Sequence, residues 1–66
     1  MTDELKKKLL ARHAEELKDH EVYYALAKEV REEGYDHASG ILIDVADEEK
    51  NHAAMLKLIL DKDGEL

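Results

Sequence analysis

Three residues combine side-chain chemistry and spacing that suit transition-metal binding: Glu16, Glu49 and His52. Glu49 and His52 are three residues apart, so on a helix both side chains project to the same side. Glu16 precedes Gly34 by about as many residues as Glu49 follows it, so a chain folded back at Gly34 brings both carboxylates to nearly the same height. Carboxylate and imidazole ligands suit iron and manganese. The pattern therefore indicates a metal site, provided that two helices position it.

Two long helices are predicted to carry these residues. Thr2 is a good N-cap for a first helix over about 3–33, because its side-chain oxygen can accept from a free backbone N–H. Gly34 is a typical residue just after a helix C-terminus, and Asp36 is a suitable N-cap for a second helix over about 36–62. The short connection favours antiparallel packing. We therefore expect residues 1–66 to form a single all-α hairpin.

Each predicted helix has a stripe that is apolar at its ends and polar in its middle. The first stripe is Leu9, His13, Glu16, His20, Tyr23, Ala27 and Val30. The second stripe is Ala38, Leu42, Val45, Glu49, His52, Leu56 and Ile59. Both follow the alternating steps of three and four residues that are typical of a helix-bundle interface. A carboxylate buried in such an interface is costly unless it is paired or binds a metal.

The length of the chain points to a second copy. A 66-residue chain without cysteine has no disulfides, and small folds of this kind are usually stabilised by metal or by association. Two helices leave one side of each stripe open, and a second hairpin would close a four-helix bundle. Such a homodimer offers two single Glu and two Glu-x-x-His sets, which is how a four-helix bundle binds two iron ions or two manganese ions.

Composition argues against several other classes of protein. The chain has 17 acidic and 10 basic residues and a formal net charge of -7, which disfavours binding to nucleic acid or to an anionic membrane. There is neither an apolar run long enough to span a bilayer nor a recognisable signal peptide. A cytoplasmic protein is expected on these grounds.

Two alternatives remain open from the residues alone. Glu and His could lie at the rim of a metal-free dimerisation module, with the core rotated toward Leu10, Leu17 and Tyr24. His13 and His20 lie one turn either side of Glu16, and each could be either a core histidine bonded to a neighbour or a functional residue. His20, four residues after Glu16, is the better candidate for an additional metal ligand.

Residues 31–53 resemble the first half of a rubrerythrin ferritin-like domain. Gly34-Tyr35 matches the turn of that family, and residues 46–53, Ala-Asp-Glu-Glu-Lys-Asn-His-Ala, resemble its Glu-x-x-His signature. The spacing from Glu16 to Glu49 and to Tyr23 is also that of the family. Residues 47–56 are similar to the small encapsulin-associated ferritins, which build their metal site across a dimer. The resemblance covers about residues 9–60.

The resemblance implies a role for each matching residue. Glu16, Glu49 and His52 would be metal ligands from each chain, and Tyr23 would be a catalytic-site residue that donates a hydrogen bond to a ligand carboxylate. Asp19 matches the position of a carboxylate that joins the metals when they are oxidised, although Asp is one methylene shorter than the usual Glu. Its alternative role is that of a solvated or supporting acid.

The resemblance also implies an activity: a di-iron oxidoreductase that reduces hydrogen peroxide, or oxygen, at a carboxylate-bridged metal pair shared between two chains. The sequence has half of the family's four-helix domain and lacks its Cys-rich rubredoxin domain, so we expect a symmetric site and an external electron donor such as a rubredoxin-like protein. We also expect no tail of the kind that directs ferritin-like cargo into an encapsulin shell. The alternatives are a ferroxidase for iron handling and the metal-free helical dimerisation module.

Overall fold

The protein folds as two long antiparallel helices, seen in a computed structural model that describes residues 1–64. Helix α1 is Asp3–Glu32 and helix α2 is Asp36–Asp63, and the described residues contain no strand. The all-α hairpin expected from the sequence is therefore confirmed. No helix within residues 1–64 has the length and apolar character that a bilayer crossing requires.

Local capping interactions explain where the helices begin and end. Thr2 Oγ1 accepts a hydrogen bond from the Leu5 N–H at 3.2 Å, as expected of an N-cap. At the other end of α1, Gly34 N–H donates to the carbonyl of Arg31 and Tyr35 N–H donates to that of Val30, both at 2.9 Å. This pair of bonds is a Schellman motif, and Gly34 has the positive φ of 94° that the motif requires.

The prediction of Asp36 as the N-cap of α2 is wrong by one residue. Tyr35 is the N-cap, because its carbonyl already accepts the first bond of the helix from Ser39 N–H at 3.0 Å. Asp36 instead lies in the first turn, where its negative charge still interacts favourably with the helix dipole. The Schellman motif therefore leads directly into α2.

Small side chains line the contact between the helices. The buried residues are Glu16 and Ala27 on α1 with Ser39, Ala46 and Ala53 on α2. The three on α2 are spaced by seven residues, so they form one narrow line along the helix. Ser39 Oγ donates to the Ala27 carbonyl at 2.8 Å, which joins the helices near the turn. Small residues at this line let the two backbones approach closely.

Four of the seven residues of the predicted α2 stripe lie one position before the line of closest contact, while Leu42, Glu49 and Leu56 are half-buried along it. Ala38 and Val45 are only half-buried, and His52 and Ile59 are exposed, whereas their neighbours Ser39, Ala46 and Ala53 are buried and Leu60 is half-buried. The larger apolar side chains on α2 lie beside the helix contact. On α1 the predicted stripe does face α2, since each of its members is buried or half-buried.

Candidate metal centre

Glu16, Glu49 and His52 converge midway along the hairpin. Each offers one ligand atom, and these atoms all lie within 4.8 Å of one another. Glu16 comes from α1, while Glu49 and His52 lie one turn apart on α2. Convergence of two carboxylates and one imidazole is the arrangement that the sequence predicted. The coordinating roles of these residues remain a prediction.

Glu16 is the buried member of the group. Its residue is 8 % exposed, which is unusual for a charged side chain, whereas Glu49 is half-buried and His52 is exposed. Arg12 Nη2 donates to Glu16 Oε1 at 3.1 Å, one turn earlier on α1. His52 Nδ1 lies 3.4 Å from Glu16 Oε2 across the helix contact. Two positively charged or chargeable groups therefore face one buried carboxylate.

One oxygen of Glu16 lacks a fixed hydrogen-bond donor. Oε2 is buried, and within residues 1–64 it has no hydrogen-bond partner. A buried carboxylate oxygen is costly to leave in this state. A proton on Glu49 or a bound cation would each satisfy it. The donor set, two carboxylates and an imidazole, fits iron or manganese.

The two carboxyl groups differ in proton affinity. When Glu49 carries a proton it can donate to Glu16, and this lowers the pKa of Glu16; the nearby charges of His52 and Arg12 lower it further, and burial opposes them. The same hydrogen bond raises the pKa of Glu49, and burial and the negative charges of Glu16 and Asp19 raise it further. A single proton on this pair therefore resides on Glu49. A cation that bound both carboxylates would have to displace it.

The remaining predicted site residues lie on α1 around this group but outside it. Asp19 is half-buried and close enough for its charge to raise the pKa of Glu49. Tyr23 is also half-buried, but the hydrogen bond to a ligand carboxylate expected of it is not among those formed by residues 1–64. The roles of Asp19 and Tyr23 therefore remain predictions.

His20 makes the neighbour contact that was the alternative to metal binding. Its Nδ1–H donates to the Ala46 carbonyl on α2 at 2.7 Å. This bond leaves Nε2 as the acceptor nitrogen of a neutral ring. Metal-binding histidines commonly donate their other nitrogen to a carbonyl in this way, so the contact is compatible with either role. His13 is half-buried one turn before Glu16 and lies outside the three-residue group.

Arg12 is the site residue that the sequence analysis missed. Its side chain is 64 % exposed, yet its guanidinium contacts Glu16, the buried carboxylate among residues 1–64. The signal was present, because Arg12 precedes Glu16 by four residues and such pairs face each other on a helix. Exposed pairs of this kind are common, so the spacing alone did not identify Arg12 as a site residue.

The fold and the site together define a class: helical hairpins that present Glu on one helix and Glu-x-x-His on the other. The family model described as rubrerythrin matches residues 8–65 of this 66-residue chain. The chain belongs to the rubrerythrin family, and the resemblance drawn from the sequence is confirmed. Searches of curated proteins and of solved structures give no significant match.

Proposed function

We propose that this protein is a di-iron oxidoreductase that reduces hydrogen peroxide, or oxygen, at a metal pair shared between two chains. Family membership supports the reaction class, and the converging Glu16, Glu49 and His52 support the site. The observation that carries the proposal is Glu16 Oε2, a buried carboxylate oxygen without a fixed donor, which faces two further metal-ligating side chains. Manganese is the alternative metal.

Homodimerisation is part of the proposal. Among residues 1–64 a single hairpin brings three candidate ligand residues within 4.8 Å of one another, whereas two copies would provide six side chains for two metal ions. Large apolar side chains are exposed on both helices, which a second hairpin would cover. The proposed assembly is a ferritin-like four-helix bundle with two irons per dimer. The cytoplasmic location expected from the sequence also remains a prediction.

A bound pair of ferrous ions would supply two electrons, one from each ion, which is the number needed to convert hydrogen peroxide and two protons into two water molecules. The protein supplies the environment. Glu16 and Glu49 provide negative charge that favours cations, and His52 adds an imidazole nitrogen. The raised pKa of Glu49 favours a proton on this carboxyl group beside Glu16, and a bound cation would oppose that proton. Tyr23 is proposed to orient a ligand carboxylate, and an external rubredoxin-like protein is proposed to restore the electrons.

Metal stoichiometry tests the proposal directly. We expect about one iron per chain after anaerobic loading with Fe(II) and desalting, measured by elemental analysis, since two chains share two ions. The mass in solution, measured by light scattering, should be near twice the 7.6 kDa of one chain. The loaded protein should then consume hydrogen peroxide when a chemical reductant is supplied.

Two neighbouring glutamates provide a matched comparison. Glu49→Gln keeps the shape of the side chain but removes a proposed ligand charge, so iron retention should fall by at least tenfold. Glu48→Gln alters an exposed residue next to it and should retain iron like the wild type. Equal retention by both variants, or no iron in the wild type, would reject the proposed site. Iron oxidation by oxygen without peroxide turnover would instead identify a ferroxidase.

A further inference from the structure

Arg12 forms an ion pair that differs from the other pairs along these helices. In the Lys8–Glu4 and Lys57–Asp61 pairs, both side chains are at least 60 % exposed. In the Arg12–Glu16 pair the guanidinium side chain is 64 % exposed while the carboxylate is only 10 % exposed. The arginine therefore reaches from solvent to a carboxylate that water hardly contacts. Only the carboxylate of this pair is shielded from solvent, so the pair is intermediate between an exposed and a buried ion pair.

The two carboxylate oxygens of Glu16 differ in their hydrogen-bond donors. Oε1 receives a charge-assisted hydrogen bond from Arg12 at 3.1 Å, and Oε2 is buried without a fixed donor. Removing Arg12 would leave both oxygens without a permanent donor. Because an uncompensated buried carboxylate destabilises a folded protein, Arg12 stabilises the protein in its metal-free state.

The same guanidinium opposes a cation at this carboxylate. A cation held by Glu16 lies close to the positive charge of Arg12, and like charges at such separations repel. A cation held through both oxygens must also displace Arg12 from Oε1. We propose that Arg12 is a positioning residue that substitutes for the cation at Glu16 in the metal-free protein and competes with it for that carboxylate. This inference rests on the proposed metal-binding function.

The experiment measures two quantities that should change in opposite directions. Arg12→Gln removes the charge, so the metal-free protein should melt about 3–6 °C lower at equal chain concentration, as expected for the loss of a partly buried pair in a chain of this size. The same variant should bind Mn(II) about three- to tenfold more tightly, measured by calorimetry, because the competing charge is absent. Neither measurement requires turnover.

A matched control separates this role from ordinary helix stabilisation. Lys8→Gln removes an i,i+4 ion pair of the same type that is exposed on both sides. It should leave Mn(II) affinity within twofold of the wild type, because exposed pairs contribute little. Arg12→Lys keeps the charge on a shorter side chain with a single donor group, so both its melting temperature and its affinity should lie between those of the wild type and Arg12→Gln.

The outcomes are distinguishable. Wild-type protein that binds no Mn(II) or Fe(II) would overturn the proposed function itself. Wild-type binding with unchanged or weaker affinity in Arg12→Gln would overturn the competition and leave the proposed function standing. If Arg12→Gln does not fold without metal, the Arg12→Lys variant still decides the matter, because tighter Mn(II) binding together with a lower metal-free melting temperature supports competition and any other combination rejects it.

Discussion

Glu16 and Glu49 are the same residue type in similar stripes, yet the structure gives them opposite properties. Glu16 is buried and faces Arg12 and His52, and its pKa is lowered. Glu49 is half-buried, and its pKa is raised by its hydrogen bond with Glu16, by burial and by the charges of Glu16 and Asp19. The asymmetry makes Glu49 the carboxyl group whose proton responds to pH near the site.

The stability of the metal-free protein should decrease as pH rises through the folded pKa of Glu49. That pKa lies above the ordinary value of 4.5, so the folded state binds this proton more tightly than the unfolded state does. The stabilisation is fully present below about pH 4.5 and is lost as the proton dissociates at higher pH. Urea denaturation of the metal-free protein across this range measures the change.

Substitution isolates the contribution of Glu49 from that of the other acids. Glu49→Gln cannot lose this proton, so its stability relative to the wild type should increase with pH. Glu48→Gln removes one exposed charge next to it and should show a difference that varies less with pH. Parallel stability curves for the wild type and Glu49→Gln would contradict the assigned proton.

Sequence could predict the convergence of the site but not its full set of contacts. The heights of Glu16 and Glu49 follow from their distances to Gly34, and the shared direction of Glu49 and His52 follows from their three-residue spacing. The contact of Arg12 depends on the rotamer of an exposed, flexible side chain. Spacing does not determine that rotamer, so only the structure reveals Arg12.

At the scale of the helices, the size of the α2 side chains determines which of them contact α1 more than their hydrophobicity does. The predicted stripe on α2 followed the larger apolar residues, including Val45 and Ile59, whereas the closest contact runs through Ser39, Ala46 and Ala53. Serine and alanine contribute little to an apolar pattern but permit close approach of two backbones. The helices and the turn were therefore predictable, while the shift by one position at four of the seven stripe residues of α2 was not.

Two glycines should respond oppositely to the same substitution. A Cβ on Gly34 or on Gly40 would meet no atom within 4 Å, so the backbone decides the outcome. Gly34→Ala forces a side chain onto a residue with φ of 94° and should destabilise the protein by about 1 kcal/mol. Gly40→Ala lies within α2 and should stabilise it by about 0.5–1 kcal/mol.

Denaturation midpoints of the two variants, measured at one chain concentration, test this pair. A loss of stability in Gly34→Ala together with a gain in Gly40→Ala is the expected result. If Gly40→Ala instead destabilises the protein, a second chain packs against that surface, because the isolated hairpin leaves space for the methyl group.

The described part of the molecule is a slender rod. Its extents are 50 × 15 × 10 Å, and its buried apolar residues within the described chain are all alanines. Larger apolar residues, among them Val22, Leu26 and Ile41, remain substantially exposed. So small a core gives a single hairpin marginal stability, which is consistent with the proposed pairing of two copies.

Substituting an apolar residue on the site side should weaken the dimer. Leu26 is 39 % exposed and follows Asp19 by seven residues, so the two side chains lie on the same side of α1, next to the site. Leu26→Ser should therefore raise the dimer dissociation constant by at least threefold, as expected for about 0.8 kcal/mol per buried methylene. Sedimentation equilibrium measures this constant.

Leu58 offers the matched control for this test. It is 61 % exposed and follows His52 by six residues, which directs it to a different side of α2. Leu58→Ser should leave the dissociation constant unchanged. Equal effects of the two substitutions would place the dimer contact elsewhere on the hairpin.

The Schellman turn at Gly34 also favours an order in which the contacts between the helices form during folding. Residues beside the turn, such as Ala27 and Ser39, are joined by the smallest loop and can meet first, while Glu16 and Glu49 close a much longer loop. Contacts that form after the folding transition state influence unfolding rather than folding. We therefore expect a cation bound between Glu16 and Glu49 to slow unfolding of the protein and to leave its folding rate nearly unchanged.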